Sequence, residues 1–179
     1  ISRGHKLKNN CDGEVLPHMY EEYGIDFITK LEGMYAVAIV DLKKHKLLLT
    51  RDRIGEKPLF YSINPEQFLY ASTIPSLLSS RIVSKEIDLQ SIAEFFTFRY
   101  VPHTNTILKS VKKVESGTIV VFDYETWTLS TRAYWKPQII QPQIISEEKA
   151  IEDLQTLLFN SVKLRTETDR SLKLGSSLS

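Results

Sequence analysis

Three places in the chain gather residue types that do chemistry. The first is Cys11, with Asp12 beside it and His18 seven positions on. A cysteine and a histidine act as nucleophile and base only when their side chains reach each other, and nearness in sequence does not supply that. The adjacent carboxylate would raise the thiol pKa, not lower it. The residues therefore favour a half-buried cysteine at a helix start. His5, His45 and His103 show no metal-ligand spacing and read as surface residues.

The second place is Arg51-Asp52-Arg53-Ile54-Gly55-Glu56-Lys57-Pro58-Leu59, where charges of both signs surround a glycine and a proline. It reads either as a substrate-facing loop or as a tight connection whose ion pairs and Gly55 hold two strands together. Composition favours the second, because charge clusters are usually structural or solvated. The third is Gly175-Ser176-Ser177-Leu178-Ser179. Backbone N–H groups in such a segment can cradle phosphate. It has neither the second glycine nor the lysine of a Walker A loop. The other reading is an ordinary serine-rich end.

These residues need elements to hold them. Asp12 or Cys11 is expected to cap a helix over Glu14 to Tyr23, with Gly24 as its left-handed stop and Pro17 as a distortion. Ile25 to Leu31 gives a second helical stretch ended by Gly33. Met34 to Asp41 is almost wholly apolar, the pattern of a strand buried on both faces. Lys43 to His45 makes a polar turn into a hairpin partner, Lys46 to Arg51. Pro58 to Ser62 and Gln67 to Ser72 read as strands around an Asn64-Pro65-Glu66 turn. Ile74 to Leu78 is a single helical turn. Asp88 caps a helix over Leu89 to Phe98 with Ile92, Phe95 and Phe96 inward. Thr118 to Asp123 and Thr128 to Trp135 form a late hairpin. Residues 136–145, with two prolines and no periodicity, read as a linker. Ser146 caps a long helix to about Thr168 with a stripe of Ile151, Leu154, Leu158 and Val162, and Leu172 to Leu178 is a strand leading into a loop. The first part is β-rich and antiparallel; the last opens an α/β unit.

Composition narrows the function classes. Lys+Arg total 23 against 22 Asp+Glu, a net charge of +1, which gives no electrostatic footprint for nucleic acid or anionic membrane. A single cysteine excludes an internal disulfide framework and fits a reducing compartment, so a cytoplasmic location is expected. The apolar run Met34 to Val40 is far shorter than the roughly 20 residues that span a bilayer. Because the chain begins at Ile1 and stops at Ser179, it is expected to be a piece of something longer.

Taken together, the segments resemble one family. Cys11-Asp12-Gly13-Glu14-Val15-Leu16 resembles the Ser/Cys-Asp-Thr-Glu-Val-Ile stretch of glutamine-hydrolysing asparagine synthetases. Tyr20 to Gly24 resembles their Tyr-Glu-Glu-Tyr-Gly, and Leu31 to Ala36 their Leu-Asn-Gly-Met-Phe-Ala. Arg51 to Tyr61 is similar to Arg-Asp-Arg-Phe-Gly-Ile-Lys-Pro-Leu-Tyr-Tyr, the most specific part, though it occurs in other class II glutamine amidotransferases. Phe98 to Pro102 resembles Phe-Gly-Tyr-Val-Pro, Tyr134-Trp135 the usual Tyr-Trp, and Leu174 to Ser179 the strand that runs into Ser-Gly-Gly-x-Asp-Ser.

The resemblance implies an α+β fold. Residues 1–135 would be a truncated αββα sandwich of the N-terminal-nucleophile hydrolase type, a partial class II glutamine amidotransferase domain. Residues 136–145 would be a linker, and 146–179 the first helix and strand of an α/β ATP-pyrophosphatase domain. The implied parent enzyme is an asparagine synthase. It takes ammonia from glutamine and adenylates aspartate with ATP and Mg2+, and ammonia then displaces AMP. A homodimer is compatible with it. The resemblance gives Asp12 the α-amino group of glutamine, and Ser177 and Ser179 the nucleotide. It makes Arg51, Asp52, Gly55, Lys57 and Pro58 a structural signature. The departures are Thr73 for a glutamate, Glu56 for an apolar residue, prolines at Pro17 and Pro75, and the Ser171 to Leu174 strand. A related amidotransferase with another acceptor (surface polysaccharide, peptide or β-lactam) and a non-catalytic scaffold kept for partner binding are the alternatives.

The implied nucleophile is a cysteine at a mature N-terminus, and Cys11 does not match it. The 179-residue chain by itself is therefore expected neither to hydrolyse glutamine nor to exchange pyrophosphate with ATP. Glutaminase activity of the purified chain above the protein-free rate would overturn that assignment of the nucleophile.

Overall fold

The structure is a computed structural model that describes Gly4, His5, Leu7, Lys8 and residues 11–138, 141, 142 and 144–166. The chain divides into two compact units, Ile1–Lys136 and Pro137–Ser179.

The first unit is built on hairpins that share one local device. At the end of a strand, an Asp or Asn side chain accepts from two backbone N–H groups of the turn that follows, which fixes the reversal. Asp41 Oδ1 accepts from Lys43 N and Lys44 N, both at 3.0 Å. Asn64 Oδ1 accepts from Glu66 N at 2.9 Å and Gln67 N at 2.8 Å. Asp123 Oδ1 accepts from Glu125 N at 3.1 Å and Thr126 N at 2.9 Å. The first turn joins β1 (Ala36–Asp41) to β2 (Lys46–Arg51), the second β3 (Phe60–Ile63) to β4 (Phe68–Ala71). A two-residue β5 (Lys112–Lys113) pairs with β3, and the third turn joins β6 (Thr118–Asp123) to β7 (Thr128–Ala133).

All pairings are antiparallel, in a four-stranded sheet β1-β2-β6-β7 and a three-stranded sheet β4-β3-β5. Side chains alternate across each strand, so β2 and β6 serve two cores. Leu47 and Leu49 of β2, with Val120 and Phe122 of β6, meet Leu59, Tyr61 and Val114 between the sheets. Leu48 and Ile119 point the other way, onto Phe27 and Ile28 of the 3₁₀ turn Gly24–Lys30 and onto Leu16, Met19, Tyr20 and Tyr23 of α1 (Asp12–Tyr23). On the far face of the small sheet, Phe60 and Leu69 pack with Leu77 of α2 (Ile74–Ser79) and with Val83, Leu108 and Val111. The order of layers is thus helix, sheet, sheet, helix.

Several expectations are corrected. β1 is buried on one face only: Val37 is covered, whereas Ala36, Ala38 and Val40 are exposed, because no described strand pairs with its outer edge and little packs on its second face. Helix α3 (Leu89–Phe98) forms under its Asp88 cap, but Phe95 and Phe96 face solvent and Ser91 is its buried residue. Gly24 has the positive φ of a stop but a ψ of −144°, outside the left-handed helical region. Helix α1 runs through Pro17 without ending. Pro75 causes no break either. It stands in the first turn of α2, where its missing N–H has no partner to lose. Thr73 caps that turn, its Oγ1 accepting from Ser76 N at 3.3 Å.

In the second unit, α4 (Glu147–Thr166) begins at Ser146, whose Oγ accepts from Lys149 N at 3.3 Å. Ile151, Leu154, Leu158 and Val162 form its apolar stripe, exposed throughout. The expected strand Leu172 to Leu178 lies outside the described residues.

Gly117 marks where the β6 strand must start. Its φ is +64°, and a Cβ there would sit 2.7 Å from the Trp135 carbonyl oxygen, a main-chain atom. That carbonyl belongs to the segment whose Tyr134 and Trp135 N–H groups both bond Gly117 O. Gly117→Ala is expected to cost about 1–3 kcal/mol, read as a lower urea midpoint at unchanged slope.

Candidate functional site

The site is assembled around the β2–β3 connection. Asp52 is 2% exposed, and its carboxylate is enclosed by main-chain N–H groups. Oδ1 accepts from Glu56 N at 2.8 Å; Oδ2 accepts from Lys57 N at 3.1 Å and Tyr35 N at 3.3 Å. Its backbone carbonyl accepts from Gly55 N and Gly117 N, each at 3.1 Å, and its N–H donates to Tyr35 O at 3.0 Å. Burial pushes the Asp52 pKa up, but the amides of Glu56, Lys57, Tyr35 and Gly55 outweigh it and hold the carboxyl below the usual range.

Arg51 is satisfied in the same currency. Its Nε donates to Lys57 O at 2.6 Å, Nη1 to Val114 O at 2.9 Å and Nη2 to Gly55 O. The guanidinium therefore ties the loop to the segment after β5. Gly55 sits against it with φ +72°, and a Cβ would come within 2.7 Å of Nη2. Both charges of Arg51-Asp52 are spent on the backbone, where the sequence suggested ion pairs. The Arg51 carbonyl accepts from Tyr134 Oη. Since that hydroxyl's hydrogen is used there, the 2.9 Å contact between Tyr35 and Tyr134 hydroxyls has Tyr35 donating. Burial first raises the pKa of both phenols, so they stay protonated.

This framework forms one wall of a cleft of about 510 Å³. Lys57, Pro58 and Tyr35 come from the framework, Asp12, Gly13 and Leu16 from the first turns of α1, Leu31 and Met34 from the approach to β1, and Val37 from β1 itself. The volume suits a small ligand, for which roughly 300–1,000 Å³ is usual. Its polarity is concentrated in Asp12, Glu32, Lys57 and Ser72, set among apolar side chains. A carboxylate and an ammonium in the lining of a mainly apolar cleft offer both counter-ions a zwitterion needs.

Of the residues singled out in the sequence, Asp12, Lys57 and Pro58 come together at the cleft. Arg51, Asp52 and Gly55 stand behind it. Cys11 is exposed, not half-buried. It occupies the N-cap position of α1 without a side-chain capping bond, its Sγ 3.7 Å from Asp12 Oδ1. Ser177 and Ser179 lie outside the described residues. Tyr35 and Tyr134 were missed, because a tyrosine's hydroxyl role depends on partners distant in sequence. His5, expected at the surface, is half-buried against His18, ring centroids 4.7 Å apart.

Residues 1–135 match the family described as a glutamine amidotransferase domain. The chain is 29% identical over 99% of its length to asparagine synthetase [glutamine-hydrolyzing] 1 of Bacillus subtilis, covering 27% of that protein. It is also 29% identical over 92% of its length to asparagine synthetase [glutamine-hydrolyzing] 2 of the same organism, covering 23%. The chain thus spans about a quarter of these relatives. A B. subtilis glutamine phosphoribosylpyrophosphate amidotransferase solved with ADP and GMP superposes on 76% of this chain and 25% of its own, with 16% identity and a TM-score of 0.47, below the level that identifies a shared fold. No helix among the described residues is long and apolar enough to cross a membrane.

The Asp52 cage sets a pH dependence. A carboxyl whose folded pKa lies below its unfolded value, about 3.9, contributes stability that is complete above that value. The contribution is lost as the pH falls through the folded pKa. Asp41 is shifted in the same direction, chiefly by turn amides and Tyr20 working against burial, and adds to the slope. Asp52→Asn puts an amide group where only acceptors fit, and is expected to cost about 3 kcal/mol at pH 7. It should also flatten the fall in the urea midpoint below about pH 4. An unchanged midpoint, or an unchanged acid slope, would show that the cage does not carry this charge.

Proposed function

The chain belongs to the glutamine amidotransferase domain family, and on that footing we propose that residues 1–135 carry the glutamine-holding half of an amide-transferring enzyme. The observation that supports this most is the meeting of Asp12 with Lys57 and Pro58 at one cleft. In this reading, Asp12 accepts from the α-ammonium of glutamine and Lys57 lies at the side of the α-carboxylate. The apolar walls from Leu16, Met34 and Val37 take the methylene chain. A charge-assisted hydrogen bond is roughly twice as strong as a neutral one, so the α-ammonium is the handle that selects an amino acid.

The wider proposal is an asparagine synthase of the class represented by the B. subtilis relatives. The fold assignment within it is the N-terminal-nucleophile hydrolase sandwich. Its helix–sheet–sheet–helix layering agrees with the order of the three cores. Release of ammonia in a closed path keeps it unprotonated and nucleophilic. Adenylation of aspartate by ATP with Mg2+ supplies the leaving group, AMP. The part from Ser146 onward is proposed as the opening of that ATP-using half, with Ser177 and Ser179 at the nucleotide. The support is the resemblance of Leu174 to Ser179 and the names of the relatives. A homodimer and a cytoplasmic location belong to the same proposal.

Glutamine binding to the 179-residue chain tests the central claim without requiring turnover. Titration of L-glutamine followed by NMR should perturb the resonances of Leu16, Tyr35 and Val37. Asp12→Asn should weaken binding about tenfold, or about 1.4 kcal/mol. Acetylation of the ligand's α-amino group should do the same. Equal affinity for the acetylated ligand, or perturbations away from this cleft, would sink the assignment.

A further inference from the structure

Helix α1 carries a second group of functional side chains, one turn beyond the cleft. His18, Glu21 and Glu22 stand at helical spacings that share a face. His5 reaches them from the segment before the helix, with Nε2 3.0 Å from Glu22 Oε1. His18 Nδ1 lies 3.6 Å from Glu21 Oε2. That nitrogen is withdrawn from solvent and makes no hydrogen bond. One ligand atom from each of His5, His18 and Glu21 falls within 4.8 Å of the others.

We propose that His5, His18 and Glu21 form a binding site for a divalent transition-metal ion of the zinc class, with Glu22 as the carboxylate that orients His5. Two imidazoles and one carboxylate are a donor set that such ions take, leaving a fourth position for water. Ligands at about 2.0–2.1 Å from a tetrahedral ion lie about 3.3 Å apart. The three atoms, already within 4.8 Å of one another, must draw together by up to about 1.5 Å to bind such an ion. An orphaned ring nitrogen facing a carboxylate is costly when it is dry, and a cation between them satisfies both. Metal here would fasten the segment around His5 onto α1, the helix whose first turns line the cleft. A hard cation such as Mg2+ prefers oxygen ligands and does not suit the site.

The test is a Zn2+ titration of the full 179-residue chain, followed by calorimetry and by the histidine ring NMR signals. The expected result is one equivalent bound, with the rings of His5 and His18 shifted and those of His45 and His103 unmoved. Mg2+ should give no such response. His18→Ala and His5→Ala should abolish saturable binding, and Glu22→Gln should weaken it about tenfold. The ring signals of the unmodified chain give an answer even if a variant misfolds. Absence of saturable Zn2+ binding, shifts confined to His45 and His103, or undiminished binding after loss of both His5 and His18 would overturn the proposal.

Discussion

A single buried carboxylate organises the first unit. Taking Asp52 out of water would cost several kcal/mol if it stood alone. The cost is met by donors that the loop itself presents, Glu56 N and Lys57 N, and by Tyr35 N from the approach to β1. Those three amides converge only if the chain turns sharply at Gly55, whose φ is +72°. The sharp turn in turn brings the Gly55 and Lys57 carbonyls onto the Arg51 guanidinium. Neither charge can be replaced by its neutral look-alike without orphaning several groups at once. The two residues also lock separate parts of the fold. Asp52 holds the approach to β1 and, through Gly117, the start of β6; Arg51 holds the exit of β5 through Val114 O.

The cleft inherits its shape from this arrangement. Lys57 and Pro58 reach it because the residues immediately before them are pinned, and Tyr35 reaches it because its own N–H and C=O are both bonded to Asp52. A wall made of backbone held by charge-assisted bonds reorganises little when a ligand arrives, which lowers the cost of binding. Asp12 is placed differently. It sits in the first turn of a helix docked by apolar contact and by one strong polar tie, Tyr20 Oη donating to Asp41 Oδ2 at 2.8 Å. Burial, then the Asp41 carboxylate, pushes that phenol up to about 12, so the bond keeps its proton across the physiological range.

Local signals were legible where local physics decides the outcome. Asn64 and Asp88 read as a turn former and a helix cap, and each element forms there; Asp41, Asp123 and Thr73 accept from turn or helix N–H groups in the same way, though the sequence alone assigned them no such role. What the sequence hid depends on contacts between distant segments. The apolar run of β1 reads as two covered faces, yet cover depends on which strand and helix lie alongside. The α3 phenylalanines show the same limit: periodicity finds the apolar face but not whether anything packs on it. Lys112–Lys113 has no strand signature and pairs only because Phe60 and Tyr61 present a free edge. At the cleft, the Arg51 to Pro58 run was visible as unusual, but its charges suggested pairing with each other. Only the folded turn shows that Arg51 and Asp52 bind the main chain. His5 and His18 are thirteen residues apart, a spacing that no helix or hairpin rule connects.

Pro17 shows how α1 serves two ends at once. A proline inside a helix removes one N–H and costs about 3 kcal/mol. The carbonyl it fails to serve is that of Gly13, a cleft residue. The hydrogen-bond ladder thus lacks one rung between the turn that lines the cleft and the turn that carries His18, Glu21 and Glu22, and the helix continues through it. Packing supports the helix on both sides of the proline: Leu16 before it, and Met19, Tyr20 and Tyr23 after it, pack against the cluster of Phe27, Ile28, Leu48 and Ile119. These four α1 side chains are only partly buried, so each contributes less than the ~1.5–3 kcal/mol of a fully buried apolar side chain, and the support is shared among them. The two ends of α1 are therefore joined by its apolar face as well as by its backbone.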